Sequence, residues 1–245
     1  MSGCSIYDNS SDAAALSVDG SARMSALSVG VVGGITGREN IAAQDVRTNI
    51  APIADPYRDR VPPSFGACTT TNYRGQGVET IDPGVYCGGM KINAGAEITL
   101  NPGLYYLDGG DLFVSGGASL SGTSVTLVFT KQNSNNWATA TIGGSASVNL
   151  TPPRTGPTAG IVMFGDRNLP AGTAIKLAGG SMQNFAGAIY FPSASVAYAG
   201  GAATTTSCTQ IIADTITFAG NSSVAVDCSR FNTKPFSAAA TRIMN

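Results

Sequence analysis

The carboxylates are the side chains of this sequence whose type and spacing best suit catalysis. Asp108 and Asp111 flank a Gly-Gly corner, and Asp166 follows a strand-like segment and is itself followed by Arg167. Two carboxylates that face one cleft about 5 to 10 Å apart could cleave a glycosidic bond. Asp-Gly-Gly-Asp is, however, also ordinary turn chemistry. Histidine does not occur in the sequence, which removes Ser-His and Cys-His nucleophilic catalysis. The sequence therefore predicts no catalytic residue and a protein that is not an enzyme.

Aromatic side chains are the second group that could contact a ligand. Most of them lie on or beside strand-like segments, where the expected role is a stacked core and the alternative is a sugar-binding platform. Trp137 lies in the polar loop 131–138 and is the best single candidate for an exposed ring. Together with Asp108, Asp111, Asp166 and Arg167, it completes our set of possible surface contacts.

The cysteines are spaced for disulfides one coil apart. Cys68 and Cys87 are separated by nearly the same distance along the chain as Cys208 and Cys228. Residues one turn of a stacked β-structure apart lie at a strand spacing of about 4.8 Å, which suits a disulfide. We predict the disulfides Cys68–Cys87 and Cys208–Cys228, and Cys4 has no predicted partner. The alternatives are buried free thiols or, less well supported, a metal site, since no Cys-x-x-Cys occurs. Two such disulfides would imply an oxidising compartment.

The composition excludes several classes of function. There are 14 Lys+Arg against 15 Asp+Glu, and the sequence shows no basic cluster, so we expect no nucleic-acid partner. Its Gly-Gly pairs lack the Lys-Ser/Thr of a phosphate loop, and we predict neither a cofactor nor a metal. None of its segments approaches the roughly 20 apolar residues that span a bilayer. The sequence is then either a cytosolic protein or a fragment of a longer exported chain, and the strand-like segment directly after Met1 favours the fragment.

A recurring corner phrase predicts the elements that position these residues. The phrase runs apolar, any residue, small, Gly-like, small, any residue, apolar. Its copies are Val18–Met24, Ile92–Ile98, Val114–Leu120, Ile142–Val148 and Phe218–Val224, with degraded copies at 177–182 and 198–202. A step near 20 residues with insertions is what one coil of a β-solenoid needs. The alternating apolar residues between copies indicate strands. We predict an all-β chain folded as a parallel β-solenoid, that is, a right-handed β-helix.

The same pattern predicts the domain organisation. We expect one solenoid domain over 1–245, with first strands at 1–35 and main coils at 68–228. Residues 36–67 are rich in proline and charge and predict an irregular excursion or cap, with a short helix within 38–48; a flexible linker is the alternative. Residues 229–245 predict a C-terminal cap or tail.

Several motifs resemble the TadG-like proteins of the tight-adherence (Tad/Flp) pilus system, in register over roughly 1–228. The quoted segments are Asp82–Ile92 (DPGVYCGGMKI), Leu104–Ser121, Val148–Pro153 (VNLTPP), Ala159–Arg167 (AGIVMFGDR), Ile189–Pro192, Thr209–Phe218, Gly3–Tyr7 and Val31–Gly34. The family often has a cysteine where this chain has Gly30, which leaves Cys4 without its family partner. A weaker likeness to ice-binding β-solenoids rests on the Pro-Gly-Val-Tyr motif and the glycine-rich corners.

The resemblance implies an extracytoplasmic, non-catalytic structural or adherence module of a Tad-type pilus-assembly accessory protein. Its expected partners are other pilus or secretion components or cell-surface polymers, with membrane contact only through a segment absent from this chain. The expected location is the periplasm, the outer surface or the medium. The alternatives are a polysaccharide-binding or polysaccharide-cleaving β-helix and an ice- or surface-binding solenoid.

Overall fold

Parallel β-strands are the main secondary structure of the described part of the chain. The computed structural model describes residues 5–178, 183–199, 208–220 and 229–236. The strands within them are β1 Ser5–Asp8, β2 Leu16–Ser17, β3 Met24–Val31, β4 Ile35–Thr36, β5 Ile41–Arg47, β6 Thr70–Gly75, β7 Val78–Ile81, β8 Gly84–Ile92, β9 Glu97–Leu100, β10 Gly103–Asp108, β11 Gly110–Val114, β12 Ser119–Gly122, β13 Val125–Thr130, β14 Ala138–Ile142, β15 Ser147–Leu150, β16 Ile161–Gly165, β17 Thr173–Leu177, β18 Gln183–Phe185, β19 Gly187–Ala199 and β20 Thr209–Ala219. Short 3-10 helices lie at Arg38–Asn40 and Ser229–Phe231. The predicted all-β class and the parallel pairing of strands are confirmed.

The chain groups into two compact units. The first contains the chain up to Asp59 and from Lys234 onward, and the second runs from Arg60 to Thr233. The expectation of a single domain stays a prediction.

In the first unit, β3 lies between β1 and β5. Val29 is in register with Ile6 on one side and Val46 on the other. Val29 and Val31 are buried, and Ile6 and Val46 pack against them with other half-buried apolar side chains. β2 and β4 form a second, short parallel pair.

Strand β5 corrects the prediction for residues 36–67. The short helix expected within 38–48 is a single 3-10 turn at Arg38–Asn40, followed directly by the strand Ile41–Arg47. Ile41 pairs with Met24 and Val46 pairs with Val29, so packing against β3 determines the conformation. The helix was expected because charge interrupts the strand pattern here, but pairing with β3 makes residues 41–47 a strand.

In the second unit, eight strands pair in a closed circuit. The order is β10–β13–β16–β19–β17–β14–β11–β8, and β8 also pairs with β10. β8 closes the circuit because its residues 84–87 pair with β10 while 90–92 pair with β11. β19 does the same for β16 and β17. A separate five-stranded parallel sheet has the order β18–β15–β12–β9–β7. The sequence did not predict the closed circuit.

The recurring corner phrase forms a tight turn. Ala96, Ala118 and Ala146 each donate their backbone N–H to the carbonyl three residues earlier, at 3.0–3.1 Å. All three alanines are buried, and larger side chains would not fit at the inner side of the turn. The small residues of the phrase are therefore required by packing.

The segment 60–67 packs on the outer side of the second unit. Phe65 stacks on Tyr106 with ring centroids 4.4 Å apart, and the Tyr106 hydroxyl donates to Pro63 O at 2.8 Å. The Arg167 guanidinium donates to Arg60 O at 2.9 Å. Strands β13 and β16 are buried along their entire lengths. Residues 60–67, the last part of the predicted excursion, are therefore packed against neighbouring side chains.

Candidate functional site

Asp108 is not a surface contact, contrary to the sequence-based expectation. It has no exposed surface and accepts hydrogen bonds from the backbone N–H groups of Gln132 and Asn133 at 2.7 and 2.8 Å. The Asn133 side chain adds a third donor at 2.7 Å. The loop that precedes β14 supplies all three donors, so this carboxylate holds the loop in place. Buried polar groups are satisfied in this way because an unpaired one is costly.

Asp166 and Arg167 are half-buried and mainly hold local structure. Asp166 accepts hydrogen bonds from the Thr130 hydroxyl and from the Asn168 backbone, both at 2.9 Å. The Arg167 guanidinium carbon lies 5.3 Å from the Tyr190 ring centroid, and Nε donates to the Tyr190 hydroxyl at 3.0 Å. Both side chains therefore have protein partners that a ligand would have to displace.

Trp137 is half-buried beside the start of β14. The Lys131 ammonium lies 5.6 Å from its ring centroid, which is within the range of a cation–π contact. The ring stays partly open to solvent, so Trp137 remains a candidate contact. Lys131 and Trp137 are brought together by the loop that Asp108 anchors.

Asp111 lies in an open groove of about 410 Å³ on the outer side of β6, β8 and β11. Its carboxylate is exposed and accepts a hydrogen bond from the Thr139 hydroxyl. Arg74, Lys91 and Phe113 also line the groove. Of the predicted contact residues, Asp111 is the one that the structure places in this groove.

Glycines form the floor of the groove. Gly89 and Gly110 have φ of 95° and 73°, a conformation that other residues rarely adopt. A Cβ on Gly110 would lie 2.4 Å from the Gly88 carbonyl carbon, and one on Gly89 would lie 2.6 Å from Asp111 O. The corners at Gly89 and Gly110 approach each other so closely that backbone atoms form the floor of the groove.

A column of outward side chains crosses the groove and continues over the next strands. Strand registers place Arg74 beside Lys91, Lys91 beside Phe113, Phe113 beside Thr141, and Thr141 beside Lys176. The alternate residues of these strands, such as Met90, Leu112 and Ile175, are buried. We call Arg74, Lys91, Phe113, Thr141 and Lys176 the cationic column. Its members stand about 4.8 Å apart, the spacing of neighbouring strands.

The cationic column brings like charges together. Arg74 is directly opposite Lys91, and like charges in direct register destabilise a sheet. Ion pairs within the described part of the chain join Arg47 to Asp45 and Arg58 to Asp59, and neither Arg74 nor Lys91 takes part. The Lys91 ammonium lies 5.8 Å from the Phe113 ring centroid, and Phe113 is 37% exposed. The column therefore presents positive charge and an aromatic ring to solvent.

Tyr73 also borders the groove, but its ring lies on the core side of β6, in register with buried Met90 and edge-on to Tyr86. Its hydroxyl donates to Glu79 Oε2 at 3.1 Å. Burial, with a further contribution from this hydrogen bond, raises the pKa of Tyr73 well above its ordinary value. The phenol stays protonated at neutral pH, and its one O–H is already donated to Glu79.

The five-stranded sheet carries a different outer surface, which we call the polar face. Its outward residues in register are Thr80, Thr99, Ser121, Asn149 and Asn184. The Thr99 and Ser121 hydroxyls lie 3.4 Å apart, and Asn184 Nδ2 donates to Asn149 Oδ1 at 2.9 Å. A groove of about 290 Å³ follows this surface. The column changes from threonine to serine to asparagine, so it is not the uniform threonine face that ice binding needs.

The predicted Cys68–Cys87 disulfide is present. The two sulfurs lie 2.01 Å apart and the Cα atoms 5.7 Å apart. Cys208 is also disulfide-bonded. Its predicted partner Cys228, like Cys4, lies outside the described residues. The residues described here include no group of three or more His, Cys, Asp or Glu side chains that could hold a metal ion.

Sequence reasoning missed the cationic column, although a signal for it exists. Lys91, Phe113, Thr141 and Lys176 each directly precede the first apolar residue of a corner phrase or its degraded copy. Aligning the phrases on that residue would have shown that one outward position carries two lysines and an aromatic ring.

Neither a membrane-spanning helix in the described residues nor a known relative identifies the chain. In the described part of the chain, no helix has the length and apolar character needed to cross a membrane. The chain matches no protein-family model, no curated protein and no solved structure.

Proposed function

We propose that the second unit is a right-handed parallel β-helix, with three strand-bearing faces in each coil. The closed circuit of pairing arises because β8 and β19 each run through two faces and so join two ladders at both ends. The supporting observation is that residues in register come from successive coils, as in Leu107 beside Tyr86 and Phe129. The proposed hand follows the strong preference of parallel crossover connections for right-handedness.

The chain acts, on this proposal, as a non-catalytic structural or adherence module of a Tad-type pilus-assembly accessory protein. The motif resemblance suggests the pilus system, and the observation that supports a contact role is the regular outer surface, where side chains in register offer contacts over five strands. Glycosidic cleavage needs two facing carboxylates, whereas the groove residues include one, Asp111. Asp108 is buried and saturated with donors. These features favour binding over bond cleavage.

An extracytoplasmic location is part of the proposal. The Cys68–Cys87 disulfide supports it because such bonds persist mainly in oxidising compartments. Non-reducing mass mapping of protein purified from its own cells should recover Cys68 and Cys87 in one linked peptide pair. Free thiols at both positions would contradict the location.

Deletion of the gene in the source bacterium tests the adherence function. We expect fewer surface pili and weaker attachment to a solid surface, because the accessory module would be missing from the assembly. Re-expression of the full reading frame should restore both. Unchanged pilus number and unchanged attachment after deletion would overturn the proposal.

A further inference from the structure

We propose that the cationic column binds a linear acidic glycan, that is, a polysaccharide with carboxylates on its sugar rings. The glycan would run across β6, β8, β11, β14 and β17, perpendicular to the strands. This inference rests on the proposed contact function and names the chemical class of cell-surface polymer that the protein contacts.

The charges of the column carry the first part of the argument. Arg74 and Lys91 stand in direct register, and Lys176 lies further along the same line. Neither Arg74 nor Lys91 pairs with an acidic group among the described residues. Holding two cations side by side costs free energy. A polymer that places a carboxylate between them would relieve this repulsion, which is a reason for the arrangement that packing does not provide.

The aromatic ring carries the second part. Phe113 is in the middle of the column, and more than a third of its surface is exposed. A phenyl ring in water favours contact with the C–H face of a sugar ring because that contact removes apolar surface from solvent. The Thr141 hydroxyl on one side and the Lys91 ammonium on the other can bond to the polar rim of the same sugar.

The spacing of the column fits a polymer. Its residues repeat at the strand spacing of about 4.8 Å, close to the advance of one pyranose ring along a linear glycan. The floor at Gly88, Gly89 and Gly110 has no side chains, so a polymer can approach the backbone there. Asp111 and Thr139, which already share a hydrogen bond, border the path and offer oxygens to sugar hydroxyls.

The charge density favours a glycan over a nucleic acid. Three cations spread over five strands, with Asp111 beside them, neutralise few phosphates. Nucleic-acid affinity depends on many Lys or Arg contacts to the backbone, and the whole chain has a net charge of −1. A polymer with one carboxylate on each sugar matches the column better.

Calorimetric titration of the full chain with polygalacturonate tests the inference. Dextran is the neutral control polymer and duplex DNA the alternative polyanion. The variants are R74Q/K91Q and F113A, and the matched control is R58Q/R154Q, which also removes two positive charges from exposed positions outside the column. Thermal unfolding of each variant checks that it folds.

We expect the wild type to bind polygalacturonate and not dextran. R74Q/K91Q should weaken binding roughly tenfold or more, and the control should stay within about twofold of the wild type. F113A should weaken it about fivefold with the same salt dependence. Raising the salt from about 0.01 M to about 1 M, which shortens the Debye length from about 30 to about 3 Å, should abolish binding.

Four outcomes would overturn the inference: no binding of polygalacturonate, equal binding of dextran, tighter binding of DNA than of polygalacturonate, or equal losses in R74Q/K91Q and its control. The two proposals fail separately. If polygalacturonate does not bind but gene deletion weakens attachment, the contact function stands and the glycan is wrong. If the glycan binds as stated but deletion changes nothing, the pilus proposal alone is wrong.

Discussion

The cationic column and the polar face belong to the same unit and are built by the same rule, yet they offer different chemistry. Both consist of outward residues in parallel register, with buried apolar residues alternating between them. In the polar face the neighbours are uncharged and contact one another, since Asn184 Nδ2 donates to Asn149 Oδ1 and the Thr99 hydroxyl lies beside that of Ser121, although Asn184 Oδ1 has no hydrogen-bond partner among the described residues. The cationic column leaves like charges adjacent. The scaffold therefore does not dictate the outward chemistry, and the surface with adjacent like charges is the better candidate for binding an acidic polymer.

The corners that lead into the two surfaces should differ most in their tolerance of a side chain. Gly110→Ala, at the first residue of β11, should lower the free energy of unfolding by about 3 kcal/mol or more, because its Cβ would meet the Gly88 backbone. Gly95→Ala, at the corner before β9, also has positive φ but has nothing within 4 Å of the new Cβ. It should cost about 1 to 2 kcal/mol. Urea unfolding measures both, and equal losses would show that steric contact does not matter.

Two aspartates near the cationic column should also differ in how much stability is lost when each is replaced by alanine. Asp108→Ala removes the acceptor of two backbone N–H groups and should cost about 2 kcal/mol or more. Asp111→Ala, at an exposed position in the groove, should change stability by no more than about 0.5 kcal/mol. Chemical unfolding of the two variants decides between them. A small loss in Asp108→Ala would mean that water replaces the carboxylate.

Tyr105 lies between the core and the rim of the polar face. Its phenol should make the free energy of unfolding depend on pH in the alkaline range. Its one hydroxyl hydrogen is shared between two acceptors, Ile81 O and Asn101 O, each 2.8 Å from the phenol oxygen. Burial chiefly, with smaller effects from nearby Tyr86 and Asp82, raises the pKa of Tyr105 above its unfolded value of about 10. Folding therefore favours the protonated phenol. This contribution is complete below about pH 10 and declines as pH rises toward the folded pKa.

The comparison of wild type with Tyr105→Phe isolates that contribution. The stability advantage of the wild type should shrink by about 1.4 kcal/mol per pH unit above about pH 10. Urea unfolding at several alkaline pH values measures the difference. A constant difference over this range would exclude Tyr105 as its source.

The smallest expected effect concerns the like charges of the cationic column itself. Arg74→Gln should raise the free energy of unfolding by about 0.3 kcal/mol in low salt, because Lys91 loses a like-charged neighbour. The gain should disappear near 1 M salt, where the Debye length is about 3 Å. Arg154→Gln is the matched control at another exposed position. A loss of stability in Arg74→Gln would mean that the two cations do not repel each other measurably.

Local signals predicted much of the scaffold. The alternation of apolar residues gave the strands, and the corner phrase gave turns such as Asn93–Ala96. The spacing of Cys68 and Cys87 gave a disulfide that is present. These features depend on residues close in sequence or separated by one regular coil, so a single chain is enough to find them.

Other features depend on which coils become neighbours and could not be read locally. Strand β5 forms because Ile41 and Val46 meet β3, although the surrounding charges and prolines suggested an excursion. Asp108 looked like a turn residue at the surface and is buried because the loop after β13 folds back over it. The cationic column combines residues from five strands, and insertions such as 131–136 and 151–158 hide their common register.

The Cys68–Cys87 disulfide also determines how the second unit would carry tension. The covalent path from Arg60 reaches Cys68 and passes through the two sulfurs into the middle of β8. Residues 69–86, including β6 and β7, lie outside this shortest path, so a pull on the chain does not have to be carried by their backbone. β6 supplies Arg74, and the bond therefore shields the first strand of the column from being peeled away.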